Sequence, residues 1–190
     1  RLPIPIETIR AIQSACFEID DDLRWLVALI SDTGMRLSEA AGLAIEDICL
    51  DHQVPHINLK PHPWRRLKTQ QSERQVPLVG AALWAAKRIT TAVEGQWCFP
   101  RYTNAESCNG NSASAALNKW LKANFSKEAV VHGFRHSFRD RLRAVNCPTE
   151  MIDQLGGWSI PNVGGRYGQG YNLKSQKVSM DAIIIKAEHH

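Results

Sequence analysis

Cysteine patterns that would build disulfides or hold metal are missing from this 190-residue chain. Its five cysteines, Cys16, Cys49, Cys98, Cys108 and Cys147, are odd in number, widely spread and free of any Cys-x-x-Cys pair. That argues against both a disulfide framework and a zinc site, and it fits a reducing compartment. Long hydrophobic runs are missing as well. No apolar stretch approaches the ~18 residues that cross a bilayer, and Arg1-Leu2-Pro3-Ile4-Pro5 has none of the apolar length of a signal peptide. A soluble protein of the cytoplasm, without a membrane partner, is the expectation. Nor is there a strong excess of one charge. Against 19 Asp plus Glu stand 23 Lys plus Arg, a net charge of +4, which permits a nucleic-acid partner without demanding one. Repeats and low-complexity tracts are absent.

What is present is enough apolar residue, 44% of the chain, to fill the core of about one domain. The chain opens without Met on a proline-punctuated segment, as an interdomain linker would, and closes on Glu188-His189-His190, which reads as the stub of a tag. A fragment is expected, with an upstream domain left out.

Hydrophobic periodicity predicts helices over Ile6 to Phe17 and from Asp21 to a stop at Gly34, then a short helix from Ser38 to Gly42. Between Ile48 and Leu78 the pattern changes. Val54 to Leu59 alternates, prolines punctuate short apolar runs, and a small antiparallel sheet of three strands is expected. A helix follows over Ala81 to Val93. The stretch from Phe99 to Ser114, rich in Asn, Ser and Gly, reads as a loop. Helices resume at Ala115 to Phe125, His132 to Val145, Thr149 to Leu155 and Lys174 to Ala187. The fold class is mainly α with a small antiparallel β-sheet.

Several short segments carry side chains suited to phosphate chemistry. In Thr33-Gly34-Met35-Arg36-Leu37-Ser38-Glu39 an arginine stands between a helix stop and a helix start, at a turn from which it can face a cleft. His132-Gly133-Phe134-Arg135-His136 sets an imidazole and a guanidinium three positions apart on one helical face, donors that match phosphate oxygens. Lys68, in the β region, reaches outward from a hairpin. Gly156-Gly157-Trp158-Ser159 supplies an indole N–H, a single fixed donor. Of only three tyrosines, Tyr167 and Tyr171 lie in a glycine-rich stretch from Gly164 to Tyr171 whose glycines give it freedom. Taken singly, each of these has an ordinary reading as a solvated charge or a packed aromatic.

Taken in order, Arg36, Lys68, His132, Arg135, Trp158 and Tyr167 resemble the catalytic set of the tyrosine recombinases, the phage-type integrases. The resemblance runs from the Thr-Gly-x-Arg-x-Ser-Glu box at Thr33 to Tyr167, which follows Trp158 by nine residues as the family's nucleophile does. Many members have Gly-His where this chain has Gly157-Trp158, and Tyr171 lies four residues beyond the expected nucleophile position.

The resemblance implies a catalytic-domain fold over residues 1–172 and a C-terminal helix over 173–190. It implies DNA cleavage through a 3′-phosphotyrosyl link to Tyr167, with Arg36, Arg135, His132 and Trp158 on the non-bridging oxygens, Lys68 as general acid, His132 as proton acceptor and Glu39 orienting the cluster. Neither metal nor ATP nor any other cofactor is implied. The implied partners are double-stranded DNA, three further copies in a homo-tetramer on paired sites, and accessory proteins that bend DNA or set direction. Family members pass a terminal segment to a neighbouring subunit. The Ile183-Ile184-Ile185 run therefore has two placements open to it, on a neighbour or on its own domain. A type IB topoisomerase-like relaxing enzyme and a catalytically silent DNA-binding module are the rival readings.

Overall fold

The computed structural model describes residues 2–159 and 170–187. Its elements run α1 (Ile6–Ile19), α2 (Asp22–Ser31), α3 (Leu37–Ala41), β1 (Ile48–Cys49), β2 (His56–Leu59), β3 (Arg74–Pro77), α4 (Gly80–Ala92), α5 (Gly110–Asn124), α6 (Gly133–Ala144), α7 (Thr149–Gly156) and α8 (Leu173–Ala182). The three strands form one antiparallel sheet in the order β1-β2-β3, with Ile57 opposite both Ile48 and Val76. Mainly helical architecture with a small antiparallel sheet is therefore what the chain adopts.

Two apolar clusters hold it together. Helix α2, capped where Asp21 accepts from the Arg24 amide, is buried from Trp25 to Ser31 and packs on α4. Ala81, Ala82, Ala85 and Ala86 give α4 the small face that lets two helices approach closely. These join Ile9, Ile12, Leu117, Leu121 and Phe134 in the larger cluster. The smaller cluster gathers Val76, Phe138, Leu142, Leu155, Met180 and Ile183 from β3, α6, α7, α8 and the residues after it. The N-terminal segment is tied to α6, because Ser137 Oγ accepts from the Ile4 amide (2.7 Å) and contacts the Ile4 carbonyl at 2.8 Å.

Two expectations need correction. Helix α5 begins at Gly110, inside the stretch expected to be a loop. The Asn109 side chain caps it by accepting from the Ser112 amide at 3.0 Å. Before it, Phe99 and Tyr102 are buried and Thr103 donates to the Ala41 carbonyl at 2.8 Å, so this stretch is packed against the domain. Helix α8 starts one residue early, where Asn172 caps Ser175, and stops at Ala182. The isoleucines beyond it lie on the chain's own domain. Ile183 is buried with its carbonyl accepting from Arg141 Nη2 at 2.6 Å, Ile184 lines the smaller cluster, and Ile185 lines the larger. Among the described residues no helix is long and apolar enough to cross a membrane.

Candidate active site

Glu39 organises the ground on which the arginines converge. It is buried in the first turn of α3, and its Oε2 accepts from the Arg36 amide at 2.9 Å. Its Oε1 accepts from Arg36 Nη1 at 2.8 Å, and Arg74 grips both oxygens at 3.3 and 3.0 Å. Burial pushes the Glu39 carboxyl upward, but Arg74, followed by the bonds from Arg36, overcomes that and holds it below the ordinary carboxylate range. Arg74 is saturated. Its Nε donates to the Leu155 carbonyl at 2.8 Å and its Nη1 to that of Ser72 at 2.6 Å. Arg36 is not: Nη1 is shared between Glu39 and the Ser72 hydroxyl (3.2 Å), and no described residue takes its Nε or Nη2.

Arg135 enters from α6 with the same economy. Its Nη1 donates to the carbonyls of Gly34 (2.9 Å) and Gly156 (2.8 Å), joining the turn before Arg36 to the end of α7. No described residue takes its Nε or Nη2. Gly34 makes this junction possible. Its φ is +63°, and a Cβ there would lie 2.6 Å from Phe138 Cγ. Trp158 completes the floor, with Arg135 Cζ 4.3 Å and Arg139 Cζ 3.9 Å from the centre of its ring.

Cations thus outnumber anions here. Burial, then the like charge of Arg36, with Arg74 and Arg139 adding to it against the opposing pull of Glu39, brings the Arg135 guanidinium down to about 9. A site that, among the described residues, leaves two guanidinium edges open around one carboxylate is built to receive an anion.

The remaining sequence candidates are placed less closely. Lys68 is exposed on the connection between β2 and β3. Thr69 beside it contacts Ser72 through their hydroxyls at 3.0 Å. His132 is exposed at the N-terminus of α6, its ring edge-on to His136 with centroids 5.1 Å apart. The structure brings Arg36, Arg135 and Trp158 together, while Lys68 and His132 are exposed side chains. Tyr167 lies outside the described residues. Tyr171 is half-buried against the smaller cluster, and the Gln154 side chain holds its backbone on both sides, at 2.8 Å to its amide and 2.9 Å to its carbonyl.

The sequence profile described as the phage integrase family matches residues 6–172. The chain belongs to that family. A tyrosine recombinase XerC of Neisseria meningitidis serogroup B is 27% identical over 139 residues, 70% of this chain and 43% of that protein. The chain therefore spans less than half the length of this relative. Among solved structures, the integrase of transposon Tn1549 in complex with circular-intermediate DNA superposes with a TM-score of 0.59 at 16% identity, covering 94% of this chain and 64% of that one. The site-specific recombinase XerH bound to its difH substrate gives a TM-score of 0.56 at 18% identity, covering 94% of this chain and 50% of that one. At such identities the likeness is one of fold.

In this family member two contributors escaped the sequence reading. Arg74 looked like one more charge on a strand. Yet the Arg74-Gln75-Val76 alternation places it on the face of Val76, and both are buried. Arg139 looked like helix decoration and stacks on Trp158. One group of potential metal ligands occurs among the described residues, Glu46, Asp47 and His62. The Lys60 ammonium already lies 3.4 Å from Glu46 and 3.9 Å from Asp47, supplying the positive charge there.

Proposed function

We propose that this chain is the DNA breaking and rejoining part of a site-specific recombinase or integrase, working in the cytoplasm on double-stranded DNA. Residues 1–172 form its catalytic domain and 173–190 its C-terminal segment. The observation that carries this reading is the pair of guanidinium edges on Arg36 and Arg135 that no described residue takes, each group held from behind by its Nη1. A phosphodiester repels nucleophiles, and two such edges neutralise its non-bridging oxygens as charge builds in the transition state. The Trp158 indole and His132 add directed donors.

In the reaction the Tyr167 phenol oxygen attacks phosphorus and gives its proton to His132. The bond to the 5′ oxygen breaks, and that oxygen takes a proton from Lys68, a role worth ~10²–10⁴-fold in rate. A 3′-phosphotyrosyl link results. It conserves the bond energy, so that the 5′-hydroxyl of a second strand reverses the step and joins new DNA without ATP. Four copies on two paired duplexes, aided by proteins that bend the DNA or set direction, make the assembly in which exchange follows from repeating this step.

The test is a covalent-complex assay on nicked suicide DNA carrying candidate attachment sites. A protein–DNA adduct that persists in denaturant and maps to Tyr167 supports the reading. Relaxation of supercoiled plasmid without paired sites would favour a topoisomerase, and DNA binding without any adduct would favour a silent module.

A further inference from the structure

We propose that Ser72 is a positioning residue whose hydroxyl ties the Arg36 guanidinium to the loop that carries Lys68, so that phosphate grip and proton delivery form one arrangement. The inference rests on the reading of Lys68 as general acid given above. Ser72 is fully buried, in the short 3₁₀ turn Gln70–Ser72 that leads into β3. Its Oγ lies 3.2 Å from Arg36 Nη1 and 3.0 Å from Thr69 Oγ1. A guanidinium can only donate, so Ser72 Oγ accepts from Arg36, and the same hydroxyl shares a second hydrogen bond with that of Thr69. The backbone repeats the link, since the Ser72 amide donates to the Thr69 carbonyl at 3.1 Å and the Ser72 carbonyl accepts from Arg74 at 2.6 Å. One residue thus takes both arginines that grip Glu39.

The other side of Lys68 is anchored too. Leu67 packs on the larger apolar cluster. His62 and Arg65 exchange backbone bonds at 3.0 and 3.1 Å, and the Trp64 indole donates to the Gly42 carbonyl at 2.9 Å. Lys68 is the exposed residue between Leu67 on one side and Thr69 on the other, so its side chain swings from a base that the hydroxyl pair fixes relative to Arg36. Loss of that pair would release the base of the proton donor while Glu39 still holds Arg36.

The test compares single-turnover cleavage by the full chain on ordinary suicide DNA and on DNA whose bridging 5′ oxygen is sulfur, a leaving group that needs no proton. Ser72→Ala should slow cleavage of ordinary DNA by about 10- to 100-fold, part of the ~10²–10⁴ that a general acid contributes. The sulfur substrate should recover most of that loss. Ser72→Thr, which keeps the hydroxyl, should stay near the parent. Lys68→Ala combined with Ser72→Ala should be no slower on ordinary DNA than Lys68→Ala alone, because a displaced acid and a missing one are the same defect. Equal losses on both substrates, additivity with Lys68→Ala, or no loss at all would overturn the proposal. Lys68→Ala by itself separates the two levels. If sulfur fails to rescue it, the reading of Lys68 falls; if sulfur rescues it but not Ser72→Ala, only the positioning role falls. Should Ser72→Ala not fold, judged by circular dichroism, Thr69→Val carries the same comparison at a half-buried position.

Discussion

Three arginines surround Glu39 or its neighbours, and their bonding separates their tasks. Among the described residues, Arg74 has every nitrogen engaged, whereas Arg36 and Arg135 each spend Nη1 alone. The cost of holding Arg135 there shows in its lowered proton affinity. The unfolded chain binds that proton more tightly than the folded one, so at neutral pH this cation opposes folding, and a bound phosphate would relieve it. The sign gives a pH prediction. Cleavage at subsaturating protein should fall as pH rises through about 9, where Arg135 loses its charge in the free site, and rates measured under that condition between neutral and alkaline pH check it. A rate that climbs steadily toward the tyrosine range near pH ~10 would contradict it. The nucleophile gives a second prediction. Tyr167→Phe should abolish the covalent adduct with DNA binding nearly intact, whereas Tyr171→Phe should retain it, because Gln154 pins the Tyr171 backbone and the ring packs on apolar residues. Peptide mapping of the trapped adduct decides. At this scale the arginine boxes were legible because each lies at the start of an amphipathic helix. Arg74 was not, since its task depends on β3 meeting α3 and α7 across 35 and 81 positions of sequence.

At the scale of elements, junctions matter more than helices. The turn between α2 and α3 ends in Gly34, which sits in the left-handed region against Phe138 and offers its carbonyl to Arg135. Gly34→Ala would meet both the backbone penalty and the aromatic ring, at a cost of roughly 2–5 kcal/mol. Urea denaturation should show that loss, and DNA cleavage should fall with it because Arg135 loses a fixed anchor. A change under about 1 kcal/mol, typical of an unremarkable surface site, would mean that the turn accommodates a side chain. The helices α1, α2, α4, α6 and α7 were readable in the sequence because their apolar residues recur at helical spacing. The first turn of α5 was not, because Gly110, Asn111 and Ser112 have loop composition and are helical only through the Asn109 cap and packing on α3. The end of α8 was misread for the opposite reason. Ile183, Ile184 and Ile185 are apolar enough to continue a helix, yet they divide between two core clusters that no single helical face reaches.

At the scale of the whole molecule, those isoleucines close the domain. Arg141 is a buried hub, donating to the Ser31 carbonyl, to Asp32 and to the Ile183 carbonyl, while Asp32 also accepts from the Ala81 amide. The tail is thus joined to α2, α4 and α6 at one point, and Arg10 adds a bond to the Lys186 carbonyl at 3.1 Å. Removing residues 183–190 would expose apolar surface worth ~1.5–3 kcal/mol for a fully buried isoleucine. It would also take an acceptor from a charged donor, ~1.5–3 kcal/mol more. The truncated chain should therefore lose roughly 3–6 kcal/mol, a large part of the ~5–15 kcal/mol that holds a typical domain. Its thermal midpoint should drop by many degrees at every protein concentration. A tail that docks on a neighbouring copy must find there both a burial for Ile183 and a partner as good as Arg141, while its own domain reseals the gap. The midpoint discriminates the two placements: a truncated chain as stable as the parent would show that the tail's seat lies on another copy, whereas a concentration-independent loss shows that the domain needs its own tail to stay folded.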